Sequence, residues 1–392
     1  MRILFFGYWG ANDGLSQSTI NPHLLILCSF PNIEKVVYVS IEREMNTTFS
    51  IPDHSKIVHI PYYSKFRAVR FLNKIGDFLL LPRFLIKLIN IYQINFLLCR
   101  SSLSGAIGFM VYKRINIRYA VESFEPHAKY MLEAGIWNKA SLSYLLQTRW
   151  EKKQMQTASL LMPVSNNFKI KLIESGVPGN RIFVAPCAVN IEIFRFNRKS
   201  RESIRSKFGI EEDSIVGIYV GKFGGIYLND QAFKLFSDSF RYLKSFFLFV
   251  LTPQDAIEIG EEMSRFGLDT TRIAIISVSH QEVPAYLSAS DFAYSLHSPT
   301  ESKKYVSPIK NGEYWANGLP IVMPLGIGDD SDIIRQEKGA GVLIRDEDGE
   351  LKLDFRSLTT TIDQCKSRHS GLAEKYRNFE LIKASYAHLV NL

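Results

Sequence analysis

Short apolar runs alternate with helix-length amphipathic stretches along most of this chain, and the runs tend to end at Gly, Ser or Pro. The first, Arg2 to Phe6, breaks into Gly7, Gly10 and Gly14, and a helical pattern follows from His23 to Ser29. Further strand patterns lie at Val36 to Ser40, Ile57 to Ile60 and Leu160 to Pro163. Apolar runs of this length suit strands buried on both faces, so the alternation predicts a doubly wound parallel sheet. A second set begins at Ile215 to Val220, which ends at Gly221 and leads into a helix over Asp230 to Ser239. Strands at Phe246 to Leu251, Ile273 to Val278, Asp291 to Ser295 and Leu319 to Met323 follow, and Tyr376 to Val390 predicts a last helix.

A chain of 392 residues exceeds one ordinary core, and the two strand sets predict two domains, 1–187 and 195–375, with a hinge near Cys187 to Arg198. The composition, 46% hydrophobic and 22% charged, is that of a globular protein. Four cysteines scattered singly fit neither a paired zinc or redox site nor a disulfide scaffold, which predicts a reducing, cytoplasmic setting. In that setting Asn46-Thr47-Thr48 is an accidental glycosylation sequon.

Charge divides the chain. Residues 1–185 hold 22 Lys+Arg against 11 Asp+Glu, and the remainder holds 25 against 28, so the net +8 belongs to the first half. Within it, Lys65, Arg67, Arg70, Lys74, Arg83 and Lys87 thread through Phe, Leu and Ile between Ser64 and Arg100. Such a stretch can lie on an anionic bilayer, or it can be a core-facing helix pair around Pro82 with a solvated basic face. No uninterrupted run of about 18 apolar residues is present to span a membrane. Aliphatic rather than aromatic interleaving argues against nucleic acid as the partner.

The densest signal is Ser307 to Val322, SPIKNGEYWANGLPIV. Pro308 pre-sets a helical turn, Gly318 ends the helix, and Pro320 leads into a buried strand. A helix so bounded turns its free amides and positive dipole end toward whatever lies beside Ser307, and Lys310 adds a charge in the first turn. That combination suits a phosphate. The loop GKFGGIYLND, Gly221 to Asp230, likewise sits between a strand and a helix, where an open α/β sheet binds phosphate.

The Ser307 to Val322 segment resembles the donor-binding motif of glycosyltransferase family 4, whose members have the GT-B fold. The resemblance implies two Rossmann-like domains facing across a cleft, an N-terminal acceptor domain and a C-terminal nucleotide-sugar domain, with the 376–392 helix packing back on the first. It further implies that Glu313 holds the ribose hydroxyls of a nucleotide sugar. The residues Ser307, Pro308, Ile309 and Lys310 would surround the diphosphate, with amides of this loop donating to it and Gly221, Lys222, Gly224 and Gly225 opposite, and Lys222 would stabilise the leaving group. Val278 and Ser279, with His280 next to them, would meet the base, partly with backbone atoms. On the acceptor side the resemblance points to Gly10 and to His127 with Glu125, a pair able to orient or deprotonate a hydroxyl. A glycan or lipid-linked acceptor in bacterial cell-surface polysaccharide or lipopolysaccharide assembly, retention of configuration, and no cofactor or metal complete the expectation. Asp330-Ser331-Asp332, which imitates a metal motif, reads as a helix cap.

Two departures accompany the match. Many family members carry a second glutamate eight positions before the one at Glu313, where this chain has Tyr305; Glu301 is the nearest substitute. The second basic residue expected after Lys222 is absent from Ile226 to Asp230, and Lys310 is its candidate replacement. These departures motivate an alternative, a GT-B protein that binds nucleotide sugar as a scaffold for another transferase. A nicotinamide dehydrogenase is disfavoured because Gly7, Gly10 and Gly14 do not form GxGxxG.

Overall fold

The structure, a computed structural model, describes residues 1–392 except Leu15, Asn46, Thr47, 65–69 and 348–349, and describes 70–75 by backbone alone. By internal contacts the chain forms two units, Met1–Ala188 with Phe379–Leu392, and Val189–Asn378.

The first unit is built on six parallel strands: β1 (Arg2–Gly7), β2 (Lys35–Glu42), β3 (Ile57–Tyr63), β4 (Phe96–Arg100), β5 (Tyr119–Phe124) and β6 (Leu160–Pro163). Their order in the sheet is β3-β2-β1-β4-β5-β6. Strands β1 and β4 are buried on both faces, which is why they read as continuous apolar runs rather than alternating ones. One face packs Ile3, Phe5, Val36 and Phe96 with Leu24 and Leu27 of the Asn21–Cys28 helix and with Ile382, Tyr386 and Leu389 of the Phe379–Val390 helix. Each such side chain, fully buried, contributes about 1.5–3 kcal/mol.

A buried polar cluster fastens that last helix. The Tyr386 hydroxyl donates to Glu122 on β5, which also pairs with Arg100 of β4 and, at 2.7 Å, with His23 Nδ1. Burial pushes the Glu122 carboxyl upward, but Arg100 and His23 outweigh it and hold it at about 2. Burial likewise lowers His23 against the pull of Glu122.

The basic stretch forms one helix, Arg70–Tyr92, running through Pro82, not a pair broken there. Leu81, Leu85, Leu88 and Ile89 are buried in the unit, while Arg83, Lys87, Leu79 and Ile91 are exposed. From Leu81 on, its main apolar face is therefore spent on the core. Lys65, Arg67 and part of the sequon lie outside the described residues, as do the side chains of Arg70 and Lys74. Among the described residues, no helix is long and apolar enough to cross a membrane.

The second unit carries β7 (Val216–Val220), β8 (Phe247–Leu251), β9 (Ile273–Ile276), β10 (Phe292–Tyr294), β11 (Ile321–Pro324), β12 (Gly341–Glu347) and β13 (Glu350–Lys352). They lie in the order β13-β12-β11-β10-β7-β8-β9, parallel except for the β12–β13 hairpin. Apolar clusters fill both faces, with Tyr314, Trp315 and Leu319 on one side and Phe233, Phe236 and Phe246 on the other.

Candidate functional site

In the second unit the chain starts at β7, steps outward to β8 and β9, and returns to β10 on the other side of β7. The topology switches direction between β7 and β10, and loops leaving their carboxyl ends frame the natural ligand crevice. Those loops pair. Tyr227 and His297 form an antiparallel bridge, the Leu228 amide donates to the Leu296 carbonyl at 2.9 Å, and the Ser298 amide donates to Ile226 at 3.0 Å. From the β8 side, Gln254 accepts from the Phe223 amide at 2.6 Å. Gly221 is thereby fixed at the rim with φ 146°. Lys222 is exposed, and its carbonyl accepts the Tyr219 hydroxyl.

The Ile309–Ala316 helix begins beside this rim, with Pro308 as its N-cap. By position, the Ile309 and Lys310 amides have no acceptor within the helix. Lys310 reaches back under β7, where its Nζ donates to the Val220 carbonyl at 3.0 Å and stands 4.4 Å from the Tyr227 ring centroid. A Cβ added at Gly221 would lie 2.8 Å from that nitrogen. Burial pushes the Lys310 amine down to about 8, with Glu313 pulling the other way. The Lys310 amine therefore stands beside Gly221 and the carboxyl end of β7.

Lys303, only 4% exposed, adds a second enclosed cation. His297 is held well below the usual imidazole range, first by burial and then by the charges of Lys310 and Lys303. The carboxyl ends of β7 and β10 thus concentrate positive charge around one neutral imidazole. Lys303 gave no signal in the sequence, where KK beside a serine reads as a solvated turn.

Glu313 is 5% exposed and one turn further along the same helix. Its Oε1 meets His280 Nε2 at 3.0 Å, and this hydrogen bond raises the imidazole, which also sits edge-on to Phe194. His280 belongs to the loop after β9. Val278 and Ser279 share that loop, but the Ser279 amide and hydroxyl both donate to Glu282, at 2.9 and 2.6 Å. From sequence, His280 lies with Val278 and Ser279 beside the base, but its pairing with Glu313 was not legible there.

Ser307 is buried, and its hydroxyl accepts from Arg377. Arg377 also pairs with Asp330, to which Asn311 donates at 2.7 Å. Asp330 is therefore not the helix cap expected from sequence. Asp329 precedes that helix without a side-chain cap, and Ser331 Oγ accepts the Gly326 and Ile327 amides instead. Burying Asp330 against Arg377 anchors the Ser307 loop to the helix start. Glu301, the substitute carboxylate, is exposed and engaged by Lys304 at 2.8 Å and the Tyr305 hydroxyl at 3.4 Å.

In the first unit the direction switches between β1 and β4. Gly10 follows β1, and a Cβ there would stand 3.0 Å from Glu42 Oε2. Glu42 accepts from the Ala11 amide at 2.8 Å and from Ser40 Oγ at 2.6 Å, so its buried carboxylate shapes the glycine loop. Ser101, after β4, and Ser123, at the β5–β6 irregularity, both take positive φ, 88° and 51°. Past that kink, His127 Nδ1 lies 3.4 Å from Glu125 Oε1, with the imidazole stacked on Tyr130 and edge-on to Trp137. Beneath them Glu151 accepts from the Ala128 amide and from Gln147 Nε2, both at 2.9 Å, and burial pushes its carboxyl up to about 7. Glu151, inside a polar helix pattern, was not legible as part of this group.

No family model and no curated protein sequence matches the chain. Solved structures do. Sucrose-phosphate synthase from Thermosynechococcus elongatus is similar with a TM-score of 0.72 at 15% identity, over 100% of this chain and 98% of that one. Anabaena HepE in complex with UDP matches with a TM-score of 0.67 at 12% identity, over 100% of both chains. WaaG, described as a glycosyltransferase involved in lipopolysaccharide biosynthesis, matches with a TM-score of 0.62 at 13% identity, over 99% of this chain and 94% of that one. The chain has the GT-B fold of these enzymes, with two Rossmann-like α/β units.

Proposed function

We propose that this chain is a glycosyltransferase that takes a sugar from a nucleotide-diphosphate donor bound to its second unit. The observation that carries the reading is the juxtaposition of Gly221, the Lys310 amine and the amino end of the Ile309–Ala316 helix, with Glu313 a turn away. Diphosphate oxygens would meet the helix amides, Lys310 and the exposed charge of Lys222, while the Glu313 carboxylate accepts the two ribose hydroxyls. The loop of Val278 and Ser279 then faces the base.

Transfer breaks the bond between the anomeric carbon and the phosphate oxygen and leaves negative charge on the diphosphate. Positive groups already in place there lower the barrier, because they need not reorganise as the charge grows. The family resemblance implies retention in which the departing phosphate oxygen takes the acceptor hydroxyl proton, and Tyr305, in place of a carboxylate eight residues before Glu313, counts against it. In this reading His127 with Glu125 in the first unit orients that hydroxyl, Gly10 lies on the same acceptor side, and the reaction needs no metal. The net positive first unit, with Arg83 and Lys87 exposed, fits a lipid-linked acceptor at an anionic cytoplasmic membrane face, and bacterial lipopolysaccharide or polysaccharide assembly supplies such acceptors.

Release of nucleoside diphosphate from a panel of nucleotide sugars, with and without bacterial lipid extract, tests the reading. Turnover with one donor, abolished by Lys222→Ala and by Glu313→Ala, supports it. The engagement of Glu301 by Lys304 and Tyr305 favours one second reading, a nucleotide-sugar-binding scaffold. Donor binding without release under any acceptor condition would select that instead.

A further inference from the structure

Three large apolar side chains of the first unit stand in water within ten residues of one another: Ile136 is 62% exposed, Leu142 67% and Leu145 54%. They lie where the His127–Glu133 helix gives way to the Leu142–Thr157 helix. The turn between is firmly built. The Ile136 and Trp137 amides both donate to the Met131 carbonyl at 3.0 Å, and Gly135 supplies the positive φ, 70°. The Ser141 amide donates to the Asn138 carbonyl, also at 3.0 Å, and its hydroxyl accepts from the Tyr144 amide at 3.3 Å, capping the second helix. Ile136 is therefore held outward by a bonded turn rather than stranded on a loose one.

On the Leu142–Thr157 helix the exposed residues Leu142, Leu145, Arg149, Lys152 and Gln156 are spaced three and four apart, which puts them on one stripe. The stripe is apolar in its first turn and basic beyond it. With a rise of about 1.5 Å per residue, Arg149 stands about 6 Å and Lys152 about 10 Å past Leu145 along the axis. Interfacial segments bury apolar groups about 5–10 Å into the boundary between headgroups and acyl chains. A bilayer that receives Leu142 and Leu145 to that depth therefore meets both cations at its phosphate layer.

Charge favours an anionic surface. From Ala128 to Thr157 the chain carries Lys129, Lys139, Arg149, Lys152 and Lys153 against two carboxylates, Glu133 and Glu151. Neither carboxylate is on the stripe. Glu133 lies 3.9 Å from Lys129, and Glu151 turns inward to the Ala128 amide and Gln147, while Glu125, just outside this span, faces His127 at 3.4 Å. The neighbouring helices add none in the open, since Ser102–Ile115 has no Asp or Glu and Asp77 of Arg70–Tyr92 is buried. Lys139, Arg149 and Lys152 are all exposed, and none is ion-paired among the described residues.

We propose that this face docks the first unit on an anionic lipid bilayer, with Ile136, Leu142 and Leu145 entering the headgroup boundary and Lys139, Arg149 and Lys152 meeting lipid phosphates. Each cation near such a surface strengthens binding about fivefold. The inference builds on the membrane setting proposed above and moves the contact off the Arg70–Tyr92 helix, whose main apolar face is spent on the core. Trp137 sits at the margin with its ring edge-on to His127 at 5.7 Å, so a lipid-linked acceptor held in the bilayer surface arrives beside the candidate acceptor pair.

Flotation of the full chain with vesicles tests it, comparing phosphatidylcholine alone with phosphatidylcholine holding about 30% phosphatidylglycerol. The expected result is binding to the anionic vesicles only, weakened by salt. Ile136→Ser with Leu142→Ser and Leu145→Ser should lower vesicle affinity at least about tenfold, and so, separately, should Lys139→Gln with Arg149→Gln and Lys152→Gln. Arg83→Gln with Lys87→Gln should change it less than about twofold. All of these positions are exposed, so melting temperature and nucleoside diphosphate affinity should hold in every variant, which keeps a failure of docking apart from a failure of the transferase reading. Vesicle binding that follows Arg83 and Lys87 but not this face would overturn the proposal and leave the membrane setting standing. Absence of vesicle binding, or a parent dimer in sedimentation that Leu142→Ser dissociates and that does not float, would overturn it as well.

Discussion

His280 Nε2 lies 3.0 Å from Glu313 Oε1, so the carboxylate proposed to hold ribose already has an imidazole partner at the end of its helix. The hydrogen bond to Glu313 raises the His280 pKa above its ordinary value. Its contribution to stability is therefore present below about 6.5 and lost as pH rises through the raised value. The imidazolium competes with ribose for Glu313. Nucleoside diphosphate affinity should rise a few-fold through that window in the parent protein and stay flat in His280→Ala, as titrations at several pH values would show.

Lys310 acts with the opposite sign. Its amine, lowered by burial to about 8, is an ammonium below that pH and neutral above it. Diphosphate affinity should fall as pH rises past about 8, and Lys310→Met should weaken it about tenfold at pH 7. The linkage is equally testable without ligand. A lysine depressed in the folded state contributes stability above its unfolded value near 10.5, and that contribution is lost as pH falls through about 8. Between those values the parent should gain stability relative to Lys310→Met in denaturant titrations.

Gly221→Ala should disable the donor site through geometry alone. The residue has φ 146°, and its new methyl would press on Lys310 Nζ from 2.8 Å. A cost of about 1–3 kcal/mol in the unfolding of the second unit is expected, with loss of nucleotide stabilisation. Adding Lys310→Ala should recover part of the stability and none of the binding.

Glu151→Gln should change the pH dependence of the first unit. A carboxyl raised to about 7 in the folded state contributes stability below its unfolded value of 4.5, which is lost as pH rises toward 7. The amide keeps an acceptor for the Ala128 amide, so the variant should show a flatter stability profile over that interval in thermal melts.

Tyr386→Phe should loosen the last helix. Its hydroxyl meets Glu122 and His23, and removing it leaves a buried carboxylate with one fewer donor. A loss of about 1–3 kcal/mol is expected, with hydrogen exchange rising first over Phe379–Val390.

The parallel strands that begin each unit were legible because burial on both faces writes them as unbroken apolar runs bounded by glycine. Strand β4, FLLCR, was not, since it follows the apolar helix through Leu88 and Ile89 with little between to mark a boundary. Strands β12 and β13 carry Arg345, Asp346 and Glu347 in a hairpin, and charge hid them. Glu313 and Lys310 could be placed because caps, glycine and proline fix their helix locally. Within the second unit Lys303 and the contact of His280 with Glu313 arise through tertiary packing that no local spacing encodes, and within the first unit Glu151 meets the His127 group in the same way. Asp330 was misread for the same reason, its partner Arg377 being 47 residues away.

The central claim is that the end of β7 and the Ile309–Ala316 helix form one nucleoside-diphosphate site. Thermal stabilisation across UDP, GDP, CDP, ADP and NAD tests it directly, because a ligand at about 100 times its dissociation constant adds roughly 2.7 kcal/mol. The account predicts a shift with one nucleoside diphosphate, abolished by Lys310→Met and by Glu313→Ala. A shift with NAD alone, or one that neither substitution changes, would contradict it.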